Sequence, residues 1–257
     1  RQRQMCIRDS FHSDHIDGLG ELGMLRWIGA AHAAPLPVYG PPGVEEVVAG
    51  FNRAYAADSG YRTAHHGDAV APPSGAGLEA QPFVVANDGA PIEVWNQAGV
   101  RITAFAVEHA PVSPAVGYRF EYGGRALVIS GDTTKSAAVA AQARGADLLV
   151  HEALDVRLVA AIHRAAVKVG NEVLAKITSD IPDYHTTPVE AAETAAEAGV
   201  STLLYYHIVP ALRFPGLEAV FLEGVADVYA GRVVVGRDGT FVSLPAGTAT
   251  VGVSSLL

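Results

Sequence analysis

The stretch Phe11-His12-Ser13-Asp14-His15-Ile16-Asp17-Gly18 contains two histidines and two carboxylates within six residues. Imidazole nitrogens and carboxylate oxygens are ligands that suit zinc and neighbouring divalent metals. Metal ligands on one face of a helix are spaced three or four residues apart, whereas His12, Asp14 and His15 are nearly adjacent. The spacing therefore predicts a metal-binding loop, and a polar loop with solvated histidines is the alternative interpretation.

Composition limits the class of protein and of substrate. The 257 residues are 49% hydrophobic and 18% charged, which is sufficient for one large globular domain. The single cysteine, Cys6, excludes an internal disulfide bond, and no run of eighteen apolar residues predicts a membrane span. The net charge of −9, with scattered Lys and Arg, argues against tight nucleic-acid binding, because such binding needs a basic surface. A small anionic ester remains compatible, since a bound metal ion supplies positive charge.

The first nine residues differ in composition from the Ala-, Val- and Gly-rich sequence that follows them. We interpret residues 1–9 as a non-native junction segment, with the natural N-terminus missing and no strand ahead of the metal-binding loop. Residues 10–257 are then expected to form a single domain. Because the true N-terminus is expected to be missing, the localisation is left open between cytoplasm and periplasm, and a homodimer is neither required nor excluded.

Hydrophobic periodicity predicts a mixed α/β fold. Helices are expected at 18–34, 44 to about 58, from about 135 to 144, 154–178 and 188–198. Strands are expected at 36–40, 77–86, 92–95, 100–107, 115–122, 125–130, 147–150 and 201–206, with a hairpin at 233–242. A capping box at Thr187 and Glu190 marks the start of the helix at 188–198.

Polar residues follow three strands that are predicted to be buried: Asp132, His151-Glu152 and His207. Ligands collect at the carboxyl ends of strands in such folds, so several groups could converge on one rim. These groups are His12, Asp14, His15, His109, Asp132 and His207. Each one alone also has a structural explanation, such as a helix cap for Asp132, and the prediction therefore rests on their convergence.

The same residues resemble the motifs of the metallo-β-lactamase superfamily, most closely its ribonuclease Z and arylsulfatase-like branch. The family motif H-x-H-x-D-H corresponds to Ser10–His15, and later motifs correspond to His109 with 117–120, to 130–133, and to His207. The resemblance extends from Ser10 to about Leu244. It implies a four-layer αββα sandwich, which here would lack its first strands.

The resemblance also implies two divalent metal ions, with Zn²⁺ expected and Mn²⁺ or Fe²⁺ as alternatives. The implied ligands are His12, His109 and Asp132 for one ion, and Asp14, His15, Asp132 and His207 for the other. Two ions about 3.5–4 Å apart can share a hydroxide nucleophile, which Asp14 could orient. Ser10 stands where the family has a histidine, so the first ion is expected to bind more weakly.

Two further elements resemble the His-Glu-Ala-Thr and His-Ser-Thr elements of ribonuclease Z-like proteins. They are His151-Glu152-Ala153-Leu154 and His185-Thr186-Thr187. A carboxylate can orient an imidazole that protonates a leaving oxygen, so Glu152 and His185 are predicted to be catalytic. A surface salt bridge and a loop at a helix start are the alternative interpretation.

Together these features predict a dinuclear metal-dependent hydrolase of small phosphodiesters or aryl sulfate esters. Processing of tRNA 3′ ends is a less favoured alternative, because the chain is acidic and no tRNA-binding arm is evident. Other chemistries of the superfamily remain open, namely those of a lactonase, a thioesterase or a β-lactamase. The serine at position 10 also leaves open an inactive, metal-poor binding protein.

Overall fold

The computed structural model describes residues 6–86 and 89–257, which divide into two compact units. The first unit ends at Val84 and the second begins at Val85. Both units combine β-sheets with packed helices, so the predicted mixed α/β fold is confirmed. The expectation of a single domain over residues 10–257 stays a prediction, and residues 1–5 of the expected junction segment lie outside the described residues.

The first unit, as far as it is described, contains a parallel sheet of three strands in the order β1-β2-β3. The strands are β1 (Cys6–Ile7), β2 (Leu36–Gly40) and β3 (Leu78–Pro82). The helices are α1 (Ser13–Ile16), α2 (Leu19–Ala30) and α3 (Val44–His66), and a short 3₁₀ helix spans Pro73–Gly75. The core of this unit joins the sheet to α2 and α3 through Leu19, Leu36, Val38, Val44 and Leu78.

Three details of the first unit differ from the sequence predictions. A strand does precede the metal-binding motif, because β1 pairs with Val38 and Tyr39 of β2. The motif itself contains one helical turn, α1, where a loop was expected. Helix α3 continues to His66 and ends at Gly67, which has a φ of 76°. The helix passes through Gly60. A glycine inside a helix costs about 1 kcal/mol of stability relative to alanine, which is small compared with the stability that a long helix gains from packing.

The described part of the second unit contains a seven-stranded mixed sheet, in the order β10-β9-β8-β7-β6-β5-β4. Its strands are β4 (Ile92–Gln97), β5 (Val100–Ala106), β6 (Val116–Tyr122), β7 (Arg125–Ile129), β8 (Leu148–Leu154), β9 (Thr202–Val209) and β10 (Arg232–Val235). Strands β4 to β7 pair antiparallel, and β7 to β10 pair parallel. A separate antiparallel pair is formed by β11 (Thr240–Ser243) and β12 (Gly252–Ser255).

Helices cover the parallel strands of the second unit. They are α4 (Ala137–Ala143), α5 (Val156–Lys168), α6 (Glu172–Asp180), α7 (Pro188–Ala198), α8 (Leu217–Phe221) and α9 (Val225–Val228), and a 3₁₀ helix spans Ile181–Tyr184. Helix α7 packs on β8 and β9 through fully buried alanines, and its predicted bounds and capping box are confirmed. Among the described residues, we find no helix both long and apolar enough to cross a lipid bilayer.

Two predictions for the second unit are wrong. The long helix expected at 154–178 is divided into α5 and α6, because Gly170 has a φ of 71° and Asn171 caps the new helix. The hairpin expected at 233–242 does not form. Strand β10 instead pairs parallel with β9, while β11 pairs with β12. The Asp238-Gly239 turn signal identified the turn but could not identify the partner of either strand.

Candidate metal centre

Three of the residues expected to converge, His109, Asp132 and His207, lie close together in the second unit. Asp132, which follows β7, is 2% exposed and lies between two histidines. Its Oδ2 is 3.8 Å from Nε2 of His109, and its Oδ1 is 3.4 Å from Nδ1 of His207. Parallel pairing of β7, β8 and β9 places their carboxyl ends at one edge of the sheet, which explains this convergence.

His109 is held in one orientation by the backbone before His185. Its Nδ1 donates a hydrogen bond to the carbonyl oxygen of Tyr184 at 2.8 Å. Since a carbonyl only accepts, the proton of the neutral ring is on Nδ1, and Nε2 presents its lone pair toward Asp132. Metal-ligating histidines are commonly oriented by such a bond from their second nitrogen. His109 is 1% exposed, so its ring lies on the buried side of the site.

His207 reaches the site through an irregularity in β9. Glu152 pairs with Tyr206 and Ala153 pairs with Ile208, so His207 is an extra residue in the pairing of β8 with β9. Its φ of 44° lies in the left-handed region, which few non-glycine residues adopt. A β-bulge of this kind changes the direction of a side chain, and such backbone strain is common at functional sites.

The structure adds His185 to this group. Asp132, His185 and His207 each offer a ligand atom, and these atoms lie within 4.8 Å of one another. The rings of His185 and His207 stack with centroids 5.8 Å apart. One buried carboxylate surrounded by imidazoles is a donor set that suits a divalent transition metal. The residues of the second unit therefore fit a metal ion, although sequence reasoning assigned His185 a catalytic role alone.

Glu152 and His185 form the predicted pair. Nδ1 of His185 donates to Oε1 of Glu152 at 3.0 Å, and the side chains are 7% and 0% exposed. The backbone N–H groups of Thr133 and Thr186 donate to the same oxygen at 3.2 and 3.1 Å. The pair is therefore a buried hydrogen-bonded unit, and the alternative of a surface salt bridge is excluded.

Burial dominates the electrostatics of this pair. Removal from water raises the pKa of Glu152 above its usual value, and the negative charge of Asp132 acts in the same direction. The hydrogen bond and charge of His185, together with the bond from Thr186, oppose that rise in the pKa. Three donors converge on Oε1, so any proton carried by this carboxyl group is placed on Oε2.

His151 lies beside the pair but makes a different contact. Its Nδ1 donates to the backbone carbonyl of Glu152 at 2.8 Å, and burial lowers its pKa to about 4. Its Nε2 has no hydrogen-bond partner within the described part of the chain. His151 is therefore a neutral, buried side chain near neutral pH.

The first unit carries its own set of donors, His12, Asp14 and His15. Nδ1 of His15 is 3.0 Å from Oδ1 of Asp9, a carboxylate that can orient the ring in the way expected for a metal ligand. Sequence reasoning missed Asp9, because no motif marks it and it falls in the segment taken as a junction. Ser10 is 1% exposed, and its Oγ makes no hydrogen bond with the residues the structure describes.

Comparison with known proteins identifies the class. A family model described as a beta-lactamase superfamily domain matches residues 10–208. The chain belongs to this superfamily, and the predicted metallo-β-lactamase type of fold is confirmed. Ribonuclease Z of Mycobacterium bovis (strain BCG / Pasteur 1173P2) is 38% identical over 229 residues, which cover 88% of this chain and 74% of the relative. The protein is thus a ribonuclease Z-like, metal-dependent hydrolase.

Solved structures agree with the fold. The metallo-β-lactamase fold protein YhfI from Bacillus subtilis matches with a TM-score of 0.57 at 20% identity, covering 90% of this chain and 73% of that one. Human tRNase Z, short form, matches with a TM-score of 0.52 at 18% identity, covering 79% and 71%. The ribonuclease Z-like resemblance is supported by the sequence identity with ribonuclease Z, and the arylsulfatase-like resemblance is not supported.

Proposed function

We propose that this protein hydrolyses phosphodiester bonds of RNA, with the 3′ ends of tRNA precursors as its substrate class. The observation that carries the proposal is the buried Glu152–His185 pair beside the donors Asp132 and His207. A proton donor next to a metal-binding cluster suits an ester whose leaving oxygen needs a proton. The identity with ribonuclease Z supports RNA over the small esters that the net charge favoured.

We propose as metal ligands the residues that the family motifs mark: His12, Asp14 and His15 in the first unit, and His109, Asp132 and His207 in the second. Six such donors are enough for two divalent ions, with zinc as the first candidate. Bound ions would supply the positive charge that activates water and neutralises the phosphoryl oxygens. The carboxylate of Asp14 is also proposed to accept a hydrogen bond from the attacking water and so to orient it.

The pair contributes by holding and moving one proton. Nδ1 of His185 stays bonded to Oε1 of Glu152, which leaves Nε2 as the nitrogen that can transfer a proton. When the P–O bond breaks, the leaving oxygen takes the Nε2 proton and the ring returns to its neutral form. Glu152 stabilises the charged ring before the transfer and fixes its orientation throughout.

The test measures metal content and substrate preference on the same protein. Metals are quantified by plasma mass spectrometry, and hydrolysis is assayed with a tRNA precursor that carries a 3′ trailer. We expect bound divalent metal and cleavage at the junction of the tRNA and its trailer. Metal binding without cleavage of the precursor would contradict the proposed substrate class.

Hydrolysis of small phosphodiesters is a second candidate, because the net charge of −9 is unfavourable for a large polyanion. The ratio of kcat/KM for the tRNA precursor and for bis(p-nitrophenyl) phosphate separates the two. A ratio that favours the small ester at 0.15 M salt supports the second candidate. A ratio that favours the precursor supports the first.

A further inference from the structure

A cavity of about 680 Å³ opens beside His207 in the second unit. Its wall is formed by β9, by residues 211–213 and by residues 235–240. This volume lies in the range of sites that bind small molecules or parts of larger ligands. His207 belongs both to this wall and to the donor cluster, so a ligand in the cavity lies next to the reacting centre.

The wall of the cavity carries two guanidinium groups, on Arg213 and Arg237. Nη2 of Arg237 forms an ion pair with Glu218 at 2.7 Å. The guanidinium of Arg213, by contrast, makes no hydrogen bond or ion pair with residues in the described ranges, and the side chain is exposed. Asp238 is the opposing charge on the wall. Because Glu218 offsets the charge of Arg237, Arg213 is the cation on this wall that has no ion-pair partner among the described residues.

We propose that this cavity binds the nucleotide next to the scissile phosphodiester and that Arg213 binds the phosphate of that nucleotide. The assignment rests on the proposed function and names a substrate-binding residue for the same site. An arginine fork can hold two phosphate oxygens at once, and within the described ranges no carboxylate pairs with the guanidinium of Arg213. Tyr206, Ile208 and Leu212 supply an aromatic and apolar wall for the sugar or base.

The matched experiment compares Arg213→Ala with Arg164→Ala. Arg164 is exposed on α5 and lies away from the cavity wall, so its variant changes the net charge equally. The substrates are a ribodinucleotide with a phosphate at each end, the same dinucleotide without terminal phosphates, and bis(p-nitrophenyl) phosphate. We expect Arg213→Ala to raise KM for the first substrate by roughly 10- to 100-fold, as for other hydrogen bonds to charged groups, with little change in kcat.

The other two substrates and the control variant complete the expectation. The KM values of the two substrates that lack terminal phosphates should not respond to Arg213→Ala, and Arg164→Ala should leave all three KM values unchanged. Arg213→Lys should restore part of the loss, since it keeps the charge without the fork. The slope of log KM against log salt concentration for the phosphorylated dinucleotide should fall by about 0.7, the value for one lost contact to a single strand.

A readout without turnover separates this assignment from the proposed function. Adenosine 3′,5′-bisphosphate serves as the probe in titration calorimetry, and thermal unfolding verifies that each variant is folded. Loss of probe binding in Arg213→Ala alone supports the cavity assignment, even if the wild-type protein cleaves no RNA. Equal loss in both arginine variants, or equal slowing of all three substrates by Arg213→Ala, overturns it.

Discussion

Replacing His185 with alanine distinguishes a proton donor from a metal ligand. The side chain is 7% exposed, donates to Glu152 through Nδ1 and stacks on His207 at 5.8 Å. Those contacts support the role in proton transfer, whereas the short distances to Asp132 and His207 also allow metal binding. The two roles predict different losses, so the variant provides a direct test.

The expected magnitude follows from the chemistry of the leaving oxygen. Loss of a positioned general acid lowers kcat by about 10²- to 10⁴-fold, which corresponds to about 3–5 kcal/mol in the activation free energy. This loss applies to an RNA substrate, whose leaving alkoxide needs a proton. An aryl ester releases a stable anion, so its kcat should fall much less. Oε1 of Glu152 keeps its bonds from Thr133 and Thr186 in the variant, which preserves the local backbone.

The assay measures kcat for an RNA substrate and for bis(p-nitrophenyl) phosphate, together with metal content, in the wild type and in His185→Ala. His66→Ala is the control, because His66 is exposed at the end of α3. We expect a large loss with RNA, a small loss with the aryl ester and unchanged metal content. A loss of metal that parallels the loss of activity on both substrates would refute the role of His185 in proton transfer.

Three further changes test neighbouring parts of the site. Glu152→Gln keeps an acceptor for His185 but removes the charge that stabilises the protonated ring, so kcat with RNA should fall by about 10- to 100-fold at constant metal content; an unchanged kcat would count against the pair. Ser10→His restores the motif histidine and should tighten binding of the first metal about tenfold or more in competition with a chelator, whereas Ser10→Ala adds no donor and should not. If both variants bind the metal with equal affinity, the serine at position 10 does not weaken metal binding. His151→Asn keeps an N–H donor but removes a histidine whose pKa falls from 6.5 to about 4 on folding. Because the unfolded chain takes up that proton first, the wild type should lose up to about 3 kcal/mol of unfolding free energy between pH 6.5 and pH 4. Urea unfolding at several pH values should show a smaller loss in the variant, and equal losses would contradict the assignment.

Motifs and strand patterns predicted which polar residues of the second unit lie close to one another. Asp132 follows β7, and Glu152 and His207 lie in the last residues of β8 and β9, beyond the apolar runs that predict these strands. Parallel strands bring their carboxyl ends together whatever their separation in sequence. The helix at 188–198 was also predictable, because its start and end are specified locally by Thr187, Glu190 and Gly199. Local signals of this kind need no knowledge of the partner elements.

The features that sequence reasoning missed depend on contacts distant in the chain. The carbonyl of Tyr184 orients His109 across 75 residues, and a backbone carbonyl leaves no signature in sequence. The bulge at His207 depends on how β8 pairs with β9, which the composition of β9 does not reveal. The wrong hairpin at 233–242 has the same origin, because strand pairing is decided by the whole sheet.

The acidic net charge is a weak guide to the substrate because it averages over the whole surface. Charges separated by more than about 8 Å are largely screened at physiological salt, so a phosphate beside His207 experiences mainly nearby groups. Those groups include Arg213 on the cavity wall, together with any metal ions held by the donors. Local positive charge of this kind is compatible with an RNA substrate, while the acidic remainder of the chain disfavours nonspecific binding to nucleic acids. It follows that the salt dependence of KM should reflect a few local contacts, and not the total charge of the protein.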